Sequence, residues 1–190
     1  MKFARTDVPD VVIIDPVVHG DERGYFIETF RQDKLENFLG FKVGFCQDNE
    51  SKSVYGVLRG LHYQLPPFAQ SKLVRVIEGE VLDVAVDIRK GSPTFGKHVA
   101  VKLTGENKRQ LFVPRGFAHA FVVLSKTCTF AYKVDSYYNP ECDRGIAFND
   151  PALEINWLVP SSDLQMSAKD GRLAKFSEAD LFSNDENLYA

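Results

Sequence analysis

Three observations in this 190-residue sequence predict an all-β domain, a sandwich or barrel with a few short helices. Short stretches rich in Val, Ile, Phe and Tyr recur at fairly even intervals. Turn residues separate them. The aromatic content, 15 Phe and 7 Tyr, suits pleated, half-buried surfaces better than helical bundles. In chain order the strand-like stretches are DVVIIDPVV from Asp10, GYFIETF from Gly24, GVLRGLHYQ from Gly56, KLVRVIEG from Lys72, EVLDVAVDIR from Glu80, HVAVKL from His98, RQLFVP from Arg109, HAFVVL from His119, TFAYKVDSYY from Thr129 and RGIAFND from Arg144. Glu78-Gly79, Gly91-Ser92-Pro93 and Asn139-Pro140 punctuate them. One helix is predicted over Asp33–Leu39, with Gly40 as its stop, and a second short one near Ser177–Leu181. No repeat or linker divides the chain, so the reading is one domain over 1–176 and an acidic C-terminal arm over 177–190.

Composition narrows the function. A formal net charge of -3 and no long Lys/Arg run argue against a nucleic-acid binder. No apolar run approaches the roughly 18 residues that span a bilayer, and MKFARTDVPD lacks a signal peptide's apolar stretch. Cys46, Cys128 and Cys142 are odd in number and lack C-x-x-C spacing, which reads as buried or half-buried free thiols in a reducing compartment. A cytoplasmic protein is expected.

Alternation assigns faces. In EVLDVAVDIR, Leu82, Val84, Val86 and Ile88 share one face and Asp83, Asp87 and Arg89 the other, which predicts one buried and one wet face. Elsewhere polar groups fall on aromatic faces: Glu28 with Phe26 and Phe30, His119 with Phe121, Tyr132 with Phe130, Gln47 and Asn49 with Phe45. Unpaired buried polar groups cost roughly 1–3 kcal/mol each. Several together predict a cavity for a polar ligand, the alternative being separate, satisfied core residues. Arg59 and His62, three apart, belong on opposite faces unless Gly60 hosts a β-bulge that shifts the register by one.

The stretch VPRGFAHAF, with Pro114-x-Gly116-x-x-His119, resembles the second motif of the cupins, double-stranded β-helix or jelly-roll barrels. Metal-binding cupins place a His-x-His pair and then a Glu in their first motif. Here those places read His62-x-Gln64 and Lys72. An ammonium in place of a carboxylate disfavours a divalent cation, so no metal is expected. Without one, His62, His119, Tyr132 and Lys72, with a carboxylate nearby, form an acid/base set: a base on one wall, a tyrosine acid on the other and an enolate stabiliser between them. That describes epimerisation next to a carbonyl, but the residues alone leave hydrolysis and plain binding open.

HGDERGYFIETF, FCQDNESKS, GVLRGLHYQLPPFAQSKLVRVIEGEVLDVAVDIR, SPTFGKHVAV, VPRGFAHAFVVLS, YKVDSYYNP and SAKD, in this order, resemble the cupin-fold sugar-nucleotide epimerases of the dTDP-4-dehydrorhamnose 3,5-epimerase family. The resemblance implies a homodimer without metal or cofactor, acting on a small-molecule dTDP-sugar in the route to L-rhamnose. By position it implies His62 as proton acceptor, Tyr132 as proton donor, Asp170 as the carboxylate paired with His62 and Lys72 as enolate stabiliser. His119 would line the sugar pocket. Arg23, Glu28, Gln47, Asp48, Asn49, Arg59 and Lys169 would hold sugar and diphosphate, with Asp143 standing where the family often has Glu. A single-carbon epimerase of the same substrate class, a 3,4-ketoisomerase, a non-catalytic sugar-nucleotide-binding cupin and a metal oxygenase are the competing readings; Tyr132 argues against the ketoisomerase.

Overall fold

The computed structural model describes residues 1–183 and 187–189. Its strands are β1 (Lys2–Arg5), β2 (Val12–Asp15), β3 (Val18–Asp21), β4 (Gly24–Ile27), β5 (Gln47–Val54), β6 (Leu58–Gln64), β7 (Lys72–Glu78), β8 (Glu80–Asp87), β9 (His98–Thr104), β10 (Gln110–Val113), β11 (Phe117–Val123), β12 (Thr127–Val134) and β13 (Asp143–Gly145). One antiparallel sheet has the order β1-β2-β10-β7-β12-β5, a second has β13-β6-β11-β8-β9, and β3-β4 is a separate hairpin. This is the jelly-roll barrel expected. β1 and β5 lie outside the strand-like stretches recognised in the sequence, although the in-phase Phe45, Gln47 and Asn49 marked the start of β5.

The two large sheets face each other across a core that includes Val74, Val76, Leu111 and Phe130 from the first and Val81, Ala85, Phe117 and Phe121 from the second. A helix, α1 (Gln32–Leu39), adds Leu35 to a further cluster with Val12, Ile14, Leu73 and Phe112. Leu35, Phe38 and Leu39, at i, i+3 and i+4, give α1 its apolar stripe. Gly40 ends it at φ +84°, its N–H bonded to the Glu36 carbonyl.

The expected wet face of β8 is a correction. Asp83 and Asp87 are as inaccessible as the valines around them. Both faces of this strand are covered: Val81, Asp83 and Ala85 look into the barrel, while Leu82, Val84, Val86 and Ile88 lie under Leu153, Trp157, Val159 and Phe182. Asp87 is enclosed by Arg89, Ser92 and Thr94, which donate to it at 2.6–2.9 Å and tie down the Gly91-Ser92-Pro93 turn. Burial pushes its carboxyl up, but those donors outweigh burial and hold it below the ordinary value.

The helix expected near Ser177–Leu181 is a single 3-10 turn, Phe176–Glu178. Of the expected arm, residues 184–186 and 190 lie outside the described residues; the rest lies on the barrel. Phe182 is 1% exposed and its carbonyl accepts from Lys90 N–H. The Tyr189 hydroxyl meets Ser71 Oγ at 2.8 Å and the Arg115 N–H at 3.0 Å. Phe182→Ala is expected to cost about 3–5 kcal/mol, the usual range for a buried Phe, and to lower Tm by about 10 °C. Thermal unfolding checks this; a shift under about 2 °C would remove the tail from the core. Cys128 is buried and Cys142 half-buried, as expected, whereas Cys46 is exposed. No helix among the described residues is long and apolar enough to cross a membrane.

Candidate active site

A cavity of about 390 Å³ opens between the two large sheets. The first sheet lends it Asn49 and Ser51 from β5, Lys72 from β7, and Phe130 and Tyr132 from β12. The second lends Arg59 and His62 from β6 and His119 and Phe121 from β11. Ser167, Lys169 and Asp170 come from the C-terminal segment.

The bulge expected at Gly60 is present. His119 pairs with His62 while Phe121 pairs with Arg59, so two steps along β11 match three along β6. Gly60 sits at φ +130°, and a Cβ there would collide with Ala120. One extra residue thus brings Arg59 and His62 to the same cavity.

His62 Nε2 lies 2.7 Å from Asp170 Oδ1. Burial pushes the Asp170 carboxyl up; hydrogen bonds from His62 and Ser167 and the nearby Lys169 outweigh it and hold the group low. With Nε2 engaged, Nδ1 is the nitrogen left to accept a proton. His119 Nε2 lies 2.9 Å and 3.0 Å from the two oxygens of Asp83. Burial lowers its pKa, Asp83 opposes this, and Lys72 and His62 add to the lowering, which disfavours the imidazolium. Burial raises the Tyr132 hydroxyl, partly offset by Arg59, which keeps the phenol protonated. The Lys72 ammonium reaches between the sheets to the His62 carbonyl at 3.4 Å, and burial pushes it down to about 8 against the pull of Asp143 and Asp83. The base-type and acid-type groups therefore stand on opposite sheets, with a cation between them.

Asn49 also lines the cavity, accepting from Gln47 Nε2 at 2.8 Å. Arg59 is held by Ser53 Oγ. Lys169 pairs with Asp143, which also accepts from the Tyr138 hydroxyl at 3.1 Å. Gln47 and Asp143 stand behind the wall and reach the cavity only through Asn49 and Lys169, and three more expected residues lie elsewhere. Asp48, one step out of phase with Gln47 and Asn49, faces a groove on the other side of its sheet and pairs with Lys133. Arg23 is on the exposed hairpin, paired with Asp21, and Glu28 pairs with Lys34 and Arg31. Asp83, Ser51 and Ser167 were not foreseen. Asp83 had a signal, two residues from inward-facing Val81 and Ala85, but alternation alone does not tell a barrel interior from solvent.

Among the described residues no group of three His, Cys, Asp or Glu is placed to hold a metal ion. The donors in the cavity fit one poorly: each imidazole already binds a carboxylate, and an ammonium stands beside them.

The family model described as dTDP-4-dehydrorhamnose 3,5-epimerase matches residues 5–178. The chain is 54% identical over 182 residues to the dTDP-4-dehydrorhamnose 3,5-epimerase of Shigella flexneri, covering 96% of this chain and 99% of that one. A crystal structure of dTDP-6-deoxy-D-glucose-3,5-epimerase from Legionella pneumophila, in complex with dTDP-4-keto-L-rhamnose, superposes with a TM-score of 0.93 at 47% identity, covering 97% and 99% of the two chains. A 3'-monoepimerase from Streptomyces bikiniensis in complex with dTDP-quinovose shares the fold at 31% identity and a TM-score of 0.83, covering 91% and 87%. The chain belongs to the dTDP-4-dehydrorhamnose 3,5-epimerase family.

Proposed function

We propose that this protein inverts C3 and C5 of dTDP-4-dehydro-6-deoxy-D-glucose to give dTDP-4-dehydro-L-rhamnose. The observation that carries the mechanism is the pair His62–Asp170 on one wall facing Tyr132 on the other, with Lys72 between. C3 and C5 both flank the C4 ketone, so each carbon-bound hydrogen is acidified by the same carbonyl. His62 Nδ1 takes the proton, the C–H electron pair moves into the ring, and the C4 oxygen becomes an enolate. The Lys72 ammonium stabilises that oxygen, and His119, fixed by Asp83, lines the sugar pocket beside it. The electron pair returns, and the same carbon takes a proton from the Tyr132 hydroxyl on the opposite face, leaving imidazolium and phenolate. Solvent exchange resets both before the second carbon reacts. Arg59 and Lys169 supply charge for the diphosphate, a bidentate role suited to a guanidinium.

The working unit in this proposal is a cytoplasmic homodimer. Arg23 and Glu28, remote from the cavity of their own chain, would serve the second copy. The hairpin that carries Arg23 exposes Val18, Tyr25 and Phe26, which supports that reading.

The test is proton NMR of dTDP-4-keto-6-deoxyglucose with the enzyme and EDTA in deuterated water. Loss of both the C3 and C5 proton signals, with the L-configured product trapped by a reductase, is the expected result. Exchange at one carbon only would make it a single-carbon epimerase, and none would make it a binding protein. In the same assay Tyr132→Phe is expected to keep exchange at a carbon flanking the ketone while product falls roughly 100-fold, within the usual range for a general acid. Undiminished inversion would remove Tyr132 as donor.

A further inference from the structure

One buried side-chain polar atom among the described residues has no hydrogen-bond partner, the hydroxyl of Ser51. It lies on the wall of the catalytic cavity. Asn49, Ser51 and Ser53 follow one another on the inner face of β5, about 6.6 Å apart at the usual strand rise. Its two neighbours are already engaged: Asn49 accepts from Gln47, and Ser53 holds Arg59 at 3.2–3.3 Å. Directly across from Ser51 on β12 is Phe130, whose ring stacks on Phe121 at 4.2 Å and offers no partner. A buried hydroxyl left alone costs about 1–3 kcal/mol, and alanine would fill the place without that penalty. An orphaned group facing a polar-ligand cavity is explained when the ligand supplies its partner.

We propose that Ser51 is a substrate-binding residue whose hydroxyl hydrogen-bonds an oxygen of the hexose, turning the ring so that its reacting carbons lie between His62 and Tyr132. This rests on the epimerase reading of the cavity. Diphosphate oxygens are the weaker assignment, because Arg59 and Lys169 carry the charge they need, while Ser51 lies opposite Phe130 of the Phe121–Phe130 stack. The adjacent position on that wall belongs to Tyr132, paired with Asn49, so a contact at Ser51 fixes the ring one step from the proton donor. Orientation of this kind acts on the reacting geometry more than on affinity.

Ser51→Ala separates the possibilities. The expected result is a fall of about tenfold in kcat/KM, the effect of one neutral hydrogen bond in a shielded site. Tm should stay level or rise, since an unpaired hydroxyl is lost, and affinity for dTDP alone should not change. Calorimetry with dTDP-glucose against dTDP reads the hexose contact without turnover: the variant should lose the extra affinity of the hexose-bearing ligand. Unchanged kcat/KM and unchanged dTDP-glucose affinity would overturn the proposal, as would a fall in Tm with normal kinetics. An equal loss of affinity for dTDP would move the contact to the diphosphate and overturn it too. Wild-type enzyme without turnover would sink the epimerase reading, and the calorimetric comparison would still decide Ser51.

Discussion

His62→Ala is expected to lower kcat by about three orders of magnitude while Tm and the affinity for dTDP stay close to wild type. A positioned general base contributes typically 10²–10⁴ in rate, and His62 is the imidazole whose outer nitrogen is free. Its neighbour His119 is the poorer base, because burial, with Lys72 and His62 beside it, holds its pKa below the ordinary value. Little stability should go with the ring, which is 30% exposed. In the proposed mechanism Asp170 is a positioning residue that acts through His62: Asp170→Asn keeps the shape but replaces an anionic acceptor with a neutral amide, which no longer steadies the imidazolium and can turn its NH2 toward the ring. Its expected loss is smaller than that of His62→Ala and should fall on kcat, with the affinity for dTDP unchanged. Solvent deuterium exchange at both carbons measures the His62 effect directly. Exchange at the wild-type rate in His62→Ala would transfer the base to another group.

Part of this site is legible in the sequence itself. Polar residues in phase with aromatics on several strands mark a cavity, and His119, Tyr132 and Asn49 line it. The register shift at Gly60 also follows from residue chemistry, since three-residue spacing can share a face only through a bulge. Other features depend on contacts that local pattern does not encode. Asp83 reads as solvated because alternation reports two faces without saying what covers them; its partner lies 36 residues away on β11. Asp170 lies outside the strand pattern, 108 residues from His62, and only the resemblance to the family pointed to it. The pattern did separate Asp48 from Gln47 and Asn49, and the structure turns it toward Lys133. Arg23 lies on the β3-β4 hairpin, which pairs with no other strand among the described residues and exposes Val18, Tyr25 and Phe26; Glu28 follows it in the chain.

Lys72→Met should make the protein more stable and nearly inactive. In the folded chain burial holds the ammonium at about 8, against an ordinary value of 10.5. At about 1.4 kcal/mol per unit, that shift corresponds to at most about 3–4 kcal/mol of destabilisation from keeping the charge inside. Below pH 8 both folded and unfolded chains hold the proton, and the full cost applies. Between 8 and 10.5 the folded chain sheds it first, so stability rises with pH, and above 10.5 the cost is gone. The stability advantage of Lys72→Met over wild type should therefore be largest near pH 7 and vanish above about 10.5, as urea unfolding at a series of pH values would measure. Catalysis should move the other way. Removing one preformed stabiliser of a developing oxyanion costs about 10²–10³ in kcat, and wild-type activity should decline as pH rises through about 8 with loss of the ammonium. A buried charge that destabilises the fold is retained when the site needs it, which is the usual tension between stability and activity. If Lys72→Met kept wild-type turnover, the enolate would have to be stabilised by His119 alone. If it gained no stability at pH 7, the ammonium would be better solvated in the cavity than its depressed pKa implies.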